Sequence, residues 1–113
     1  MPPRNLEPRI ADILHAIAKI ERYTTGRIFE TFQAEDMVVD ATVWNLVVVG
    51  EAASHVPIEV QRRYPDVAWI RMRGMRNVAV HRYFELDLEV VWDTVQSDLP
   101  LLVTQLHQIL ANE

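Results

Sequence analysis

The chain has no cysteine among its 113 residues. That excludes disulfides and thiolate metal ligation, and it suits a cytoplasmic protein. The first ten residues, MPPRNLEPRI, lack the apolar core that a signal peptide needs. No apolar run reaches the ~18 uncharged residues of a membrane span, so no membrane partnership is expected. Nothing repeats, no linker is rich in Gly and Ser, and no segment is of low complexity; one domain over 1–113 is expected. There is no Gly-rich phosphate loop and no nucleophilic serine elbow. The four histidines, His15, His55, His81 and His107, form neither a His-x3-His pair nor a compact cluster with carboxylates. Neither a metal centre nor a cofactor is therefore expected.

What is present is an uneven distribution of charge. The net charge of -5 is a poor start for a nucleic-acid binder. Yet six of the eleven basic residues lie between positions 62 and 82: Arg62, Arg63, Arg71, Arg73, Arg76 and Arg82. Asp66 is the one acid in that window, which leaves a local charge of +5. After Tyr83 the chain carries Glu85, Asp87, Glu89, Asp93, Asp98 and Glu113, with no Lys or Arg. A concentrated basic patch on an acidic body points to phosphate; a solvated charged face is the alternative.

Half of the residues are apolar, and their spacing is helical. Leu6, Ile10, Ile13, Leu14, Ile17 and Ile20 form one stripe, and Gly26 suits the left-handed cap after it. Phe29 and Phe32 are expected to plug the core from a short turn. Val43–Gly50, VWNLVVVG, is strand-like by propensity, but the apolar stretch around it runs from Met37 to Ala53, far beyond the ~5–6 residues of a typical strand. It reads as a buried helix with Asp36 as N-cap. Pro57 opens a further short helix and Pro65 ends it. Leu88, Val91, Val95, Leu99, Leu102, Leu106 and Ile109 make a final stripe, which Pro100 should kink or break. The expected fold is all-α: a four-helix bundle with main helices near 6–24, 36–54, 66–81 and 87–110 and short accessory helices.

Three groups of residues invite chemistry. His15 and His107 read as ordinary helix histidines. Glu51 and His55, four apart on one helix face, are either an acid–base pair or a local ion pair or hydrogen bond, the second being the commoner arrangement. The stretch Arg76-Asn77-Val-Ala-Val-His81-Arg82-Tyr83 is the third. Five residues on a straight helix turn by ~140°. Arg76 and His81 would thus diverge unless the helix ends near His81 and the chain bends, letting Arg76, His81 and Tyr83 converge.

Arg76-x4-His81-x-Tyr83 resembles the Arg-x4-His-x-Tyr motif of HepT-like toxins, a branch of the HEPN ribonuclease superfamily. The resemblance extends outward in order. WIRMRGMRNVAVHRYF (Trp69–Phe84) is similar to the family's core segment, and VVGEAASHVP (Val48–Pro57) to its Gly-Glu-Ala helix. VWDTVQSDLPLL (Val91–Leu102) resembles the final helix, proline included, and ILHAIAKIERYTTG (Ile13–Gly26) the first.

The resemblance implies a metal-independent endoribonuclease in which the RNA 2′-OH attacks its own phosphodiester. His81 would serve as general acid or base near neutrality. Arg76 would stabilise the charged phosphorane, and Asn77 would support them by orienting His81 or donating to a phosphate oxygen. Arg71, Arg73 and Arg82 would hold the RNA backbone. One chain supplies one suitable histidine where the reaction uses two, so a homodimer with a composite cleft is implied. A cognate nucleotidyltransferase antitoxin would silence the toxin by AMP transfer to Tyr83. The alternative is a catalytically silent helical module that partners such a nucleotidyltransferase.

Overall fold

The structure is a computed structural model that describes residues 6–81 and 83–113, with the side chains of Val78, Val80, His81 and Tyr83 outside the description. It is 84% helical, with no strand among the described residues, which fixes the all-α class. In chain order the helices are α1 (Leu6–Thr24), α2 (Phe29–Ala34), α3 (Asp36–Ser54), α4 (Ile58–Arg63), α5 (Trp69–His81), α6 (Leu88–Asp93) and α7 (Leu99–Asn112). A 3-10 turn (Tyr83–Glu85) follows α5, and a π turn (Thr94–Asp98) joins α6 to α7.

The first stripe buries as its spacing predicts: Leu6, Ile10, Ile13, Ile17 and Ile20 are all but fully enclosed, with Leu14 at the edge. Thr24 ends α1 by donating its hydroxyl to Ile20 O at 2.8 Å. Gly26 then adopts φ +78°, a conformation that a side chain would disfavour. Arg27 closes this corner, donating from Nε to Tyr23 O and pairing with Glu35, each at 2.9 Å. Phe32 plugs the core completely, against the Trp92 ring at 5.0 Å between centroids, and Phe29 is half-buried.

The valine-rich segment is α3, and its position explains its composition. It packs against α1 on one side and α5 on the other, so one apolar stripe would not suffice. Val39, Val43, Leu46, Val49 and Ala53 are buried between these neighbours. By length and composition α3 could cross a membrane, with a mean hydropathy of 1.3, yet half of that window is buried inside the bundle. One detail differs from expectation. Asp36 is the first helical residue rather than the N-cap; Glu35 holds the cap position, with no side-chain cap bond. Asp36 there still places a negative charge in the first turn, where the helix dipole favours it.

Two boundaries also shift. The helix expected from 66 begins at Trp69, because the Tyr64 carbonyl draws Val67 N (3.2 Å) and Trp69 Nε1 (3.0 Å) into a turn that precedes α5. The helix expected over 87–110 starts after Asp87, whose side chain caps Glu89 N at 3.0 Å. It is interrupted by the π turn just before Pro100. Proline has no N–H to continue an α ladder and its ring crowds the preceding turn, so a widened turn is where the interruption belongs. Val91, Val95, Leu99, Leu102, Leu106 and Ile109 all remain buried across it. At the far end Glu113 accepts from Arg63 Nε (3.2 Å) and Tyr64 Oη (2.9 Å). The Arg63 guanidinium holds the Glu113 carboxyl below the usual carboxylate range.

Candidate active site around the end of α5

The site begins with a glycine. At Gly50, α3 and α5 approach so closely that a Cβ would lie 2.5 Å from Met72 O and 2.7 Å from Arg76 Cβ. Both of those atoms belong to α5, and neither is the loose end of a side chain. Only glycine allows this separation. Its consequence falls on the next residue, since Glu51 and Arg76 now face each other across the helix pair. Arg76 Nε and Glu51 Oε2 are 2.8 Å apart, with Arg76 43% and Glu51 50% exposed. His55 lies on the same carboxylate's other side, its Nδ1 3.8 Å from Oε1 and 2.9 Å from the Glu51 carbonyl oxygen. The Glu51–His55 pair seen in the sequence is therefore a local helix contact, while the tighter partner of Glu51 comes from α5.

α5 ends at His81 and is followed by the 3-10 turn beginning at Tyr83. A helix end near His81 is what the expected convergence called for. Along the continuous helix the backbone positions of Arg76 and His81 are ~140° apart around the axis. The expected convergence of the Arg76, His81 and Tyr83 side chains, and the placement of Arg82, lie outside the described residues. Asn77 is exposed on the outer side of α5.

Two arginines expected to hold RNA have partners within the fold. Arg71 pairs with Asp98 at 2.8 Å and remains 68% exposed. Arg73 Nη1 donates to Gln61 Oε1 at 3.1 Å, and Gln61 is itself buried, bonded to Val56 O at 2.9 Å. His15 and His107 are exposed, on the outer faces of α1 and α7. No group of three His, Asp or Glu residues suited to a metal occurs among the described residues.

Beside the C-terminal half of α5 lies a largely apolar cavity of about 350 Å³. Val43, Leu46, Met75 and Ala79 wall it on one side and Leu86 and Val90 on the other. Sequence reasoning gave no sign of it, because its walls come from α3, α5 and the 85–94 segment together.

The family model for HepT-like ribonucleases matches residues 13–109. The chain belongs to the HepT-like ribonuclease family. It is similar to "Probable ribonuclease HepT" of Thermococcus cleftensis, 34% identical over 99 residues, covering 88% of this chain and 90% of the relative. "Putative RNase MJ0127" of Methanocaldococcus jannaschii is 28% identical over 110 residues, covering 97% and 91%. "Putative RNase TTE0752" of Caldanaerobacter subterraneus is 29% identical over 106 residues, covering 94% and 95%. No solved structure matches. The motif and both helices that carry the Gly50–Arg76 approach fall inside the matched residues.

Proposed function

We propose that this HepT-like ribonuclease is a metal-independent endoribonuclease toxin that acts as a homodimer and is silenced by AMP transfer to Tyr83. The observation that carries the reading is the Arg76-x4-His81-x-Tyr83 motif at the end of α5, in a chain matched almost throughout by the family. In the proposed reaction the RNA 2′-oxygen attacks the adjacent phosphorus and the bond to the 5′-oxygen breaks. One His81 accepts the 2′-OH proton, and a second, protonated His81 donates to the departing oxygen. Arg76 is always charged and presents a fork of donors to the phosphorane oxygens. Asn77 would assist beside it, and Arg71, Arg73 and Arg82 would hold the flanking phosphates, Arg71 exchanging Asp98 for RNA.

Two observations support the dimer. Each chain has one motif histidine, while the reaction needs an acid and a base. Gly74 lies inside α5 on the face it shares with Ile70 and Asn77, and a Cβ there would meet nothing within 4 Å. Ile70 is 77% exposed. A helix-interior glycine beside an exposed isoleucine suits the close passage of a second α5. The partner would be a nucleotidyltransferase: the Tyr83 oxygen attacks the α-phosphorus of ATP, pyrophosphate leaves, and the attached AMP competes with RNA phosphate for Arg76.

The test is incubation with total RNA in the presence of a chelator, with the cleaved ends mapped. Cleavage leaving 2′,3′-cyclic phosphate and 5′-hydroxyl ends is expected. His81→Ala and Arg76→Ala should each reduce it by ~10²–10⁴-fold without loss of helix content. Cleavage by His81→Ala at the wild-type rate would refute the mechanism, and no cleavage by any preparation would favour a silent binding module. With the partner, ATP and Mg²⁺, AMP should appear on Tyr83 and activity should fall, while Tyr83→Phe escapes.

A further inference from the structure

The geometry points to Glu51 as a positioning residue that aims the Arg76 guanidinium at the scissile phosphate. The inference rests on the ribonuclease reading above but concerns a residue outside the motif. An arginine near a helix end has four rotatable side-chain bonds, and a half-exposed guanidinium is free to sweep a wide arc. Here Glu51 Oε2 takes the Nε edge at 2.8 Å. An acceptor on Nε fixes the plane of the fork and leaves the two terminal nitrogens turned outward as a pair of parallel donors, the geometry that phosphate oxygens match.

The carboxylate is itself held. Its backbone is locked against α5 by the Gly50 approach, where a methyl group would collide with Met72 O and Arg76 Cβ. Its other oxygen lies 3.8 Å from His55 Nδ1, outside hydrogen-bond range, and that ring nitrogen sits 2.9 Å from the Glu51 carbonyl oxygen. A glycine sets the distance between the helices, and the neighbouring glutamate uses that distance to orient the arginine. The pair is half-exposed on both sides, so an ordinary surface ion pair would contribute little to stability. Its contribution is therefore expected in alignment, which the transition state needs far more than the bound substrate does.

Steady-state cleavage of a defined RNA tests this, with kcat normalised to folded protein. Glu51→Ala should lower kcat by about tenfold to a hundredfold. KM should stay within about twofold, because the Arg76 charge remains to attract RNA. Glu51→Gln keeps an acceptor for Nε and should retain kcat within about fivefold. In an Arg76→Lys background, where no fork remains to be aimed, adding Glu51→Ala should change kcat less than about twofold. The Arg76 Nε–H resonance supplies a readout independent of catalysis: it should move in Glu51→Gln and lose its exchange protection in Glu51→Ala. An active enzyme whose Glu51→Ala variant cleaves like or faster than wild type overturns the role of Glu51 alone. So does a Glu51→Ala loss that adds in full to that of Arg76→Lys, or an unmoved Nε–H resonance. Wild-type protein without cleavage overturns both this role and the ribonuclease reading.

Discussion

Two glycines, one on α3 and one on α5, have opposite surroundings. Gly50 meets α5 so closely that a single methyl group has no place. Gly74 sits in the middle of a helix with open space around it. The usual cost of glycine in a helix, ~0.5–1 kcal/mol relative to alanine, applies to both. At Gly50 the fold itself accounts for that cost, because the core of α3–α5 contact and the Glu51–Arg76 pair depend on it. At Gly74 no contact among the described residues does. The side of α5 that meets Gly50 is thus packed against α3, while the position of Gly74 is open among the described residues.

Substitutions at the two positions sharpen the contrast. Gly50→Ala should give the largest effect. It gains up to ~1 kcal/mol in helix propensity, yet the clash with a backbone carbonyl forces the helices apart at a cost of ~1–3 kcal/mol or more. A clear fall in melting temperature is expected, with loss of RNase activity as Arg76 moves from Glu51; an unchanged melt would mean that the approach relaxes freely. Gly74→Leu comes second and tests the proposed dimer. Circular dichroism should stay as helical as wild type, while sedimentation shows dissociation to monomers and cleavage falls with it. A Gly74→Leu protein that remains an active dimer would place the second copy elsewhere. Gly74→Ala is the smallest change. Under conditions where the protein is monomeric it should raise stability by ~0.5–1 kcal/mol, measured by chemical denaturation.

The parts of the fold legible in the sequence were those set by short-range spacing. The Leu6–Ile20 and Val91–Ile109 stripes bury, with Leu14 and Leu88 only partly covered, and the turn at Gly26 has the left-handed backbone its position called for. The valine-rich α3 was readable from its length against its propensity. The N-terminus of α3 was less so: Glu35 and Asp36 are adjacent acids, and which one precedes the first helical turn depends on how Glu35 is drawn toward Arg27. The π turn was not legible, because the four-residue steps Val91–Val95–Leu99 fit an ordinary α-helical stripe equally well.

The site was legible as a motif and illegible as an arrangement. Glu51 and Arg76 are distant in sequence, and no local pattern joins them. Charge counting within a window made a basic patch of residues 62–82. Across the fold, Glu51 and Asp98 enter that patch from α3 and the π turn and take up Arg76 and Arg71. Gly50 was visible as part of a family-like segment, but its physical reason is the α5 backbone lying against it.

The close approach at Gly50 also sets a time scale. Met72 O lies where α3 approaches α5 closely at Gly50, and Met72 itself is buried. The amides of that turn cannot exchange with solvent by fraying of α5 alone, since the turn must first separate from α3. Their deuterium uptake should therefore follow the slow global opening of the bundle, while amides on the loops between helices exchange by local fluctuation. Arg76, the arginine proposed to bind phosphate, would then stand on one of the most slowly exchanging stretches of the protein.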